Sequence, residues 1–114
     1  MKKIETKFGI LYYFKEKRNH YVVCDSNKGR LFFGLTKSEL KEFIALVKGC
    51  EDIDDWLCGY DDVCWGTKEK VYEYAQYYAQ SNGRKFDREW VDDNYNVVGN
   101  TYILFDYSEA YKND

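Results

Sequence analysis

The sequence predicts a small α+β protein in which an antiparallel sheet packs against two or three helices. Three observations carry this. The first third alternates short aromatic and aliphatic runs with polar turns, the middle shows apolar spacing of helical period with capping residues, and the last third returns to strand-like runs around a Gly-Asn turn.

Residues 10–14, Ile-Leu-Tyr-Tyr-Phe, make the first strand, and the polar stretch 15–19 breaks it. Residues 20–24, His-Tyr-Val-Val-Cys, make a second. Asp25-Ser26-Asn27-Lys28-Gly29 is built of turn formers, and residues 30–34 make a third strand. Strands this short, joined by polar turns, imply an antiparallel three-strand meander. Thr36 and Glu39 have capping-box spacing, and Leu40, Phe43, Ile44 and Val47 form one apolar stripe before Gly49. A short helix over residues 51–60 turns Ile53, Trp56 and Leu57 to one side. Residues 63–65 make a brief strand, and Thr67 caps a longer helix to about residue 80. On that helix Val71, Tyr74, Ala75, Tyr78 and Ala79 form the expected buried stripe, while Tyr72 and Tyr77 fall outside it. Residues 88–91 read as a further short strand. Residues 95–98 and 101–105 flank Gly99-Asn100, the pattern of a C-terminal hairpin with a primed turn. Residues 1–107 form one expected domain and 108–114 a frayed tail.

Composition narrows the function. Among 114 residues, 45% are hydrophobic and 32% charged, so there is enough apolar surface to fold and no run long enough to span a membrane. The N-terminal segment lacks a signal-peptide apolar core, so a cytoplasmic protein is expected. Four cysteines at 24, 50, 58 and 64 have no close pairing, and His20 is the only histidine, so reduced thiols rather than zinc or disulfides are expected. There is no phosphate-cradling glycine loop, and His20 has no nucleophile pattern beside it, so no enzyme, no cofactor and no metal is expected.

Charge and rings point instead to a binding surface. Residues 1–48 carry eleven Lys/Arg against five Asp/Glu, whereas residues 49–114 carry six against fifteen. Six acids fall within residues 51–62, interleaved with Trp56 and Tyr60, and twelve tyrosines occur in the chain. A calcium loop does not fit, because Trp56 stands where a short oxygen ligand belongs. Clustered carboxylates and exposed rings suit a cationic groove of the kind that binds nucleic acid, with acids in place of phosphates and rings in place of bases. The expected partner-binding residues are Asp52, Asp54, Asp55, Trp56, Tyr60, Asp61, Asp62, Tyr72, Tyr77, Asp92 and Asp93.

Asp54-Asp55-Trp56-Leu57 and Trp65-Gly66-Thr67-Lys68-Glu69-Lys70-Val71, with the aromatic helix that follows, resemble a segment of the small anti-CRISPR family that binds the HNH nuclease domain of type II-C Cas9. The chain departs from that pattern by the seven residues 58–64 between the two motifs, and none of the family's contact residues has a counterpart here. More broadly the chain resembles small phage-encoded anti-defence proteins, which are short, acidic and rich in Tyr, Asn and Lys. The resemblance implies a stoichiometric inhibitor, a DNA mimic acting in the host cytoplasm on a Cas effector as monomer or homodimer. Two alternatives stay open: an immunity protein or antitoxin against a cationic toxin nuclease, and a small nucleic-acid-binding protein using the basic N-terminal half. The inhibitor readings require a protein partner with a basic surface and neither direct nucleic acid nor membrane.

Overall fold

The structure is a computed structural model that describes residues 1–112. It is α+β, with four helices and antiparallel sheets, and divides into two compact units, Met1–Gly59 with Asn96–Gly99 and Tyr60–Tyr95 with Asn100–Asp114. No helix among the described residues is long and apolar enough to cross a membrane.

The first unit is built on a four-stranded meander, β1 (Lys2–Thr6), β2 (Gly9–Lys17), β3 (His20–Cys24) and β4 (Arg30–Leu35), in that order. The sequence reading begins the sheet at β2. β1 carries three charged residues and one fully buried one, Ile4, so its apolar signal is a single side chain, and it is recruited by pairing with β2 in the register Ile4↔Leu11. Helix α1 (Lys37–Gly49) starts with the expected capping box between Thr36 and Glu39, and buries Leu40, Phe43 and Val47. Phe43 meets Phe32 of β4 edge-on at 5.5 Å. Gly49 is the last helical residue, and Cys50, in extended conformation, ends the helix. Helix α2 (Ile53–Leu57) is capped by Asp52, whose carboxylate accepts from the Asp55 N–H at 2.9 Å.

β3 is buried on both faces, Val22, Val23 and Cys24 all being closed off from solvent, and β7 (Asn96–Val98) also belongs to this unit. The attachment of β7 rests on Asp25, which is 3% exposed. Its carboxylate accepts from the N–H groups of Asn27 and Gly29, which shapes the β3–β4 turn, and from the Val97 N–H and the Asn96 side-chain amide across more than seventy residues of chain. Gly99 turns the chain at φ +62°, and a side chain there would run into the Phe8 carbonyl.

The second unit pairs β5 (Val63–Gly66) antiparallel with β8 (Thr101–Phe105), Cys64 opposite Leu104. Helix α3 (Lys68–Ser81), capped by Thr67, lies on this pair, and Val71, Tyr72, Ala75, Val91, Leu104 and Ala110 form the core with Cys64. Residues 88–91, expected as a strand, open helix α4 (Arg88–Asn94) instead. The Asp87 carboxylate caps it by accepting from the Trp90 N–H at 3.1 Å, and the helix buries only Val91, too little apolar spacing to reveal its period in the sequence. Residues expected as a frayed tail are built in. A 3₁₀ turn spans Tyr107–Glu109, Ala110 is buried, and β9 (Tyr111–Lys112) pairs with β6 (Lys85–Phe86), while residues 113–114 of that expectation lie outside the described residues.

Replacing Asp25 with Ala strands four donors, two of them on the β3–β4 turn and two on residues 96 and 97. Loss of at least about 3 kcal/mol in urea unfolding is expected, with a smaller loss for Asp25→Asn, which keeps one acceptor oxygen.

Candidate protein-binding surface on helix α3

The eleven residues expected at a partner surface fall into three groups. Trp56 is 2% exposed: its ring stacks on Phe8 at 5.7 Å and meets Phe43 edge-on at 5.9 Å, so it is core of the first unit and anchors no partner. Tyr72 is 9% exposed and belongs to the second unit's core, against the expectation of an outward ring. Asp62 is turned to structural use. At φ 55° its carboxylate accepts from the Ser108 N–H and hydroxyl, while its carbonyl accepts from Asp106 N–H, bracing two loops together.

The remaining acids are exposed. Asp52 and Asp55 spend their carboxylates on helix α2 itself, Asp55 accepting from the Glu51 N–H at 3.1 Å, and Asp54 is exposed on the same helix. Asp61, Asp92 and Asp93 are exposed in the second unit. The acidic run of the sequence is thus shared between the units: 51–55 lie in the first and 61–62 in the second. The first unit carries eleven Lys/Arg against nine Asp/Glu, and the second six against eleven.

The rings of α3 decide where a surface forms. At about 100° per residue, Val71, Tyr72, Ala75 and Ala79 span about 100° of the helix and face inward. The stripe expected from the sequence, with Tyr74 and Tyr78 in it, spans about 140° and is centred about 40° away from the buried one. Tyr74 and Tyr78 are consequently displaced to the rim, at 52% and 38% exposure, beside Tyr77 at 73%. Tyr107 supports them from the side, edge-on to Tyr74 at 5.0 Å and to Tyr78 at 5.2 Å. Burial, then a hydrogen bond to Tyr74, pushes the Tyr107 hydroxyl up to about 12. Tyr60 is exposed at the start of the same unit and rests edge-on against Phe105 at 5.5 Å.

Beside this row, Trp65 and Cys64 of β5 and Lys70, Glu73, Tyr74 and Tyr77 of α3 enclose an open groove of about 330 Å³. Positions 70, 73, 74 and 77 recur at helical spacing, so the groove wall is one continuous face of α3. Tyr77 is the one of these that the sequence places at a partner surface. Trp65, Lys70, Tyr74 and Tyr78 are found only once the orientation of α3 is known.

Burial, and after it the Asp62 charge, pushes the Cys64 thiol up to about 12, so it stays a neutral apolar wall. All four cysteines are free, Cys58 alone being exposed, and among the described residues no three His, Cys, Asp or Glu side chains gather as metal ligands. What the arrangement can do chemically is offer flat ring surface, hydroxyl tips, and one basic and one acidic side chain, Lys70 and Glu73. No known protein family, curated protein or solved structure matches this chain.

Two measurements follow from these thiols and hydroxyls. Iodoacetamide on the native protein should label Cys58 first, and Cys24, Cys50 and Cys64 only on unfolding, as followed by peptide mass. Cys64 and Tyr107 keep their protons in the folded state to about 12, whereas free side chains release them near 9.0 and 10.0. The folded state therefore holds more protons above pH 9, and urea stability should fall from about pH 9 towards pH 12.

Proposed function

We propose that this chain is a stoichiometric protein inhibitor that covers a basic, nucleic-acid-binding surface of a nuclease, a Cas effector being the target class, through the tyrosine-rich face of its second unit. One observation supports this above the others: three tyrosines of α3 stand at the surface of a unit with nearly twice as many acids as bases. Tyrosine gives large, stiff contact area and a polar tip, which is why it concentrates in the energetic centres of protein interfaces. Trp65 extends the apolar floor, and Glu73 in the groove, with Asp61, Asp92 and Asp93 elsewhere on the unit, supplies negative charge towards lysines and arginines of the target. Exposed acids act chiefly on the association rate through long-range attraction, and the rings act on residence time because they must be desolvated and packed. Mimicry of this kind breaks no bond.

The test is titration of the full chain against a purified type II-C Cas9 loaded with guide RNA, reading DNA cleavage and complex formation by size exclusion. Inhibition that saturates at a fixed molar ratio is expected. Tyr77→Ala should weaken binding by tenfold or more, mainly through faster dissociation, and leave thermal stability unchanged because the ring is exposed. Asp92→Asn with Asp93→Asn should slow association and flatten its salt dependence. Binding untouched by all of these changes defeats the proposed face. Absence of binding to Cas nucleases, with binding to a toxin nuclease, moves the target to the other class.

A further inference from the structure

The first unit holds a feature that inhibition by the second leaves unused. One end of the four-stranded sheet gathers the N-terminal end of β1, the C-terminal end of β2, the N-terminal end of β3 and the C-terminal end of β4. That topology brings Lys2, Lys3, Lys15, Lys17, Arg18 and Lys37, distant in sequence, to one end. Two carboxylates near it are engaged. Glu16 is paired with Arg30 at 3.1 Å, and Glu39 closes the α1 capping box on the Thr36 N–H at 2.9 Å.

On this end lies an open hollow of about 430 Å³, with Lys2, Tyr13, Lys15 and Tyr21 among its walls and no acid lining it. The register explains the grouping. Lys2 stands directly across from Tyr13, and Lys15 directly across from Tyr21. Tyr13 and Lys15 are two apart on β2, so all four side chains share one face of the sheet, each tyrosine the cross-strand neighbour of a lysine. On the same face, Ile4 and Leu11 one row further in are fully buried, so the open part is confined to the end rows. The volume falls within the range of small-ligand sites.

We propose that this hollow binds a phosphorylated nucleoside, with a base lying against Tyr13 or Tyr21 and phosphate oxygens on Lys2 and Lys15. Ring faces accept any base, and lysines at the rim neutralise phosphate, the combination by which single strands are held without sequence preference. The remaining cations, Lys3, Lys17, Arg18 and Lys37, extend the positive field past the hollow, as a strand longer than one nucleotide requires.

The test is fluorescence anisotropy of the full chain with a short fluorescein-labelled oligothymidylate over a salt series, with thymidine monophosphate and inorganic phosphate as competitors. Salt-dependent binding is expected. Lys2→Gln with Lys15→Gln should weaken it at least tenfold and lower the salt slope by about 1.4, at about 0.7 per phosphate contact. Tyr21→Leu should weaken it about tenfold with the slope retained. Tyr77→Ala, on the other unit, should leave it unchanged. Competition by the mononucleotide supports the site with a free nucleotide as ligand, and binding of the oligonucleotide without such competition supports it with a strand as ligand. No binding, binding indifferent to the lysine pair, or competition by inorganic phosphate equal to that by the mononucleotide overturns the proposal. Lys2 and Lys15 are exposed, so the double variant keeps the fold, and circular dichroism verifies it.

Discussion

The buried carboxylate of Asp25 is the interaction on which the first unit most depends. It sits at the end of β3 and accepts from two donors of its own turn and two of residues 96 and 97, so a local turn and a long-range attachment share one group. A carboxylate out of water is costly unless its oxygens are fully engaged, and four donors meet that demand. Gly29 contributes by its lack of a side chain: a Cβ there would lie 3.3 Å from the carboxylate. The turn composition at residues 25–29 is thus a requirement of the buried acid as much as of the chain reversal.

The second unit is governed by a different constraint, the small residues of α3. Ala75 lies at the centre of the inward face and packs with Cys64 of β5 and Leu104 of β8, and Ala79 is buried further along the helix, so the line they share carries no ring. Tyr72 is accommodated at one margin, where Arg88 lies 4.8 Å and Lys68 6.0 Å from its ring centre. On the other margin Tyr74 and Tyr78 are held upright by Tyr107 rather than submerged. The exposed aromatic row follows from how the core packs, and the same packing stiffens it. Rings fixed before binding lose less entropy on contact than free ones, which favours tight association from a modest area.

How much of this was legible in the residues differs by element. α1 is written out by its capping box and its apolar spacing, and α2 by the trio Ile53, Trp56 and Leu57, while the capping role of Asp52 is not. β1 and α4 were not readable, because each buries one side chain and a single apolar residue has no period. The tail after residue 107 was misread for a related reason: Ala110 and the Tyr111–Lys112 pairing gain their stability from β6 and α3, distant in sequence. At the candidate site the exposed acids were legible from charge alone, while Trp56, Tyr72 and Asp62 were not. Each of these three is claimed by a partner far along the chain or on a neighbouring element: Phe8 for the indole, Leu104 among the core around Tyr72, Ser108 for the carboxylate.

By itself the sequence determined the α+β class, the capped helices, the glycine turns and the acidic bias of the later residues, since propensity, capping and net charge are properties of neighbours along the chain. Only the tertiary structure decided which tyrosines face outward and which acids serve as braces. It also decided that six cations scattered through residues 2–37 meet at one end of a sheet. Those outcomes depend on strand register and on the rotation of a helix about its axis, and a turn of α3 by a few tens of degrees exchanges a core ring for a surface one without altering a residue.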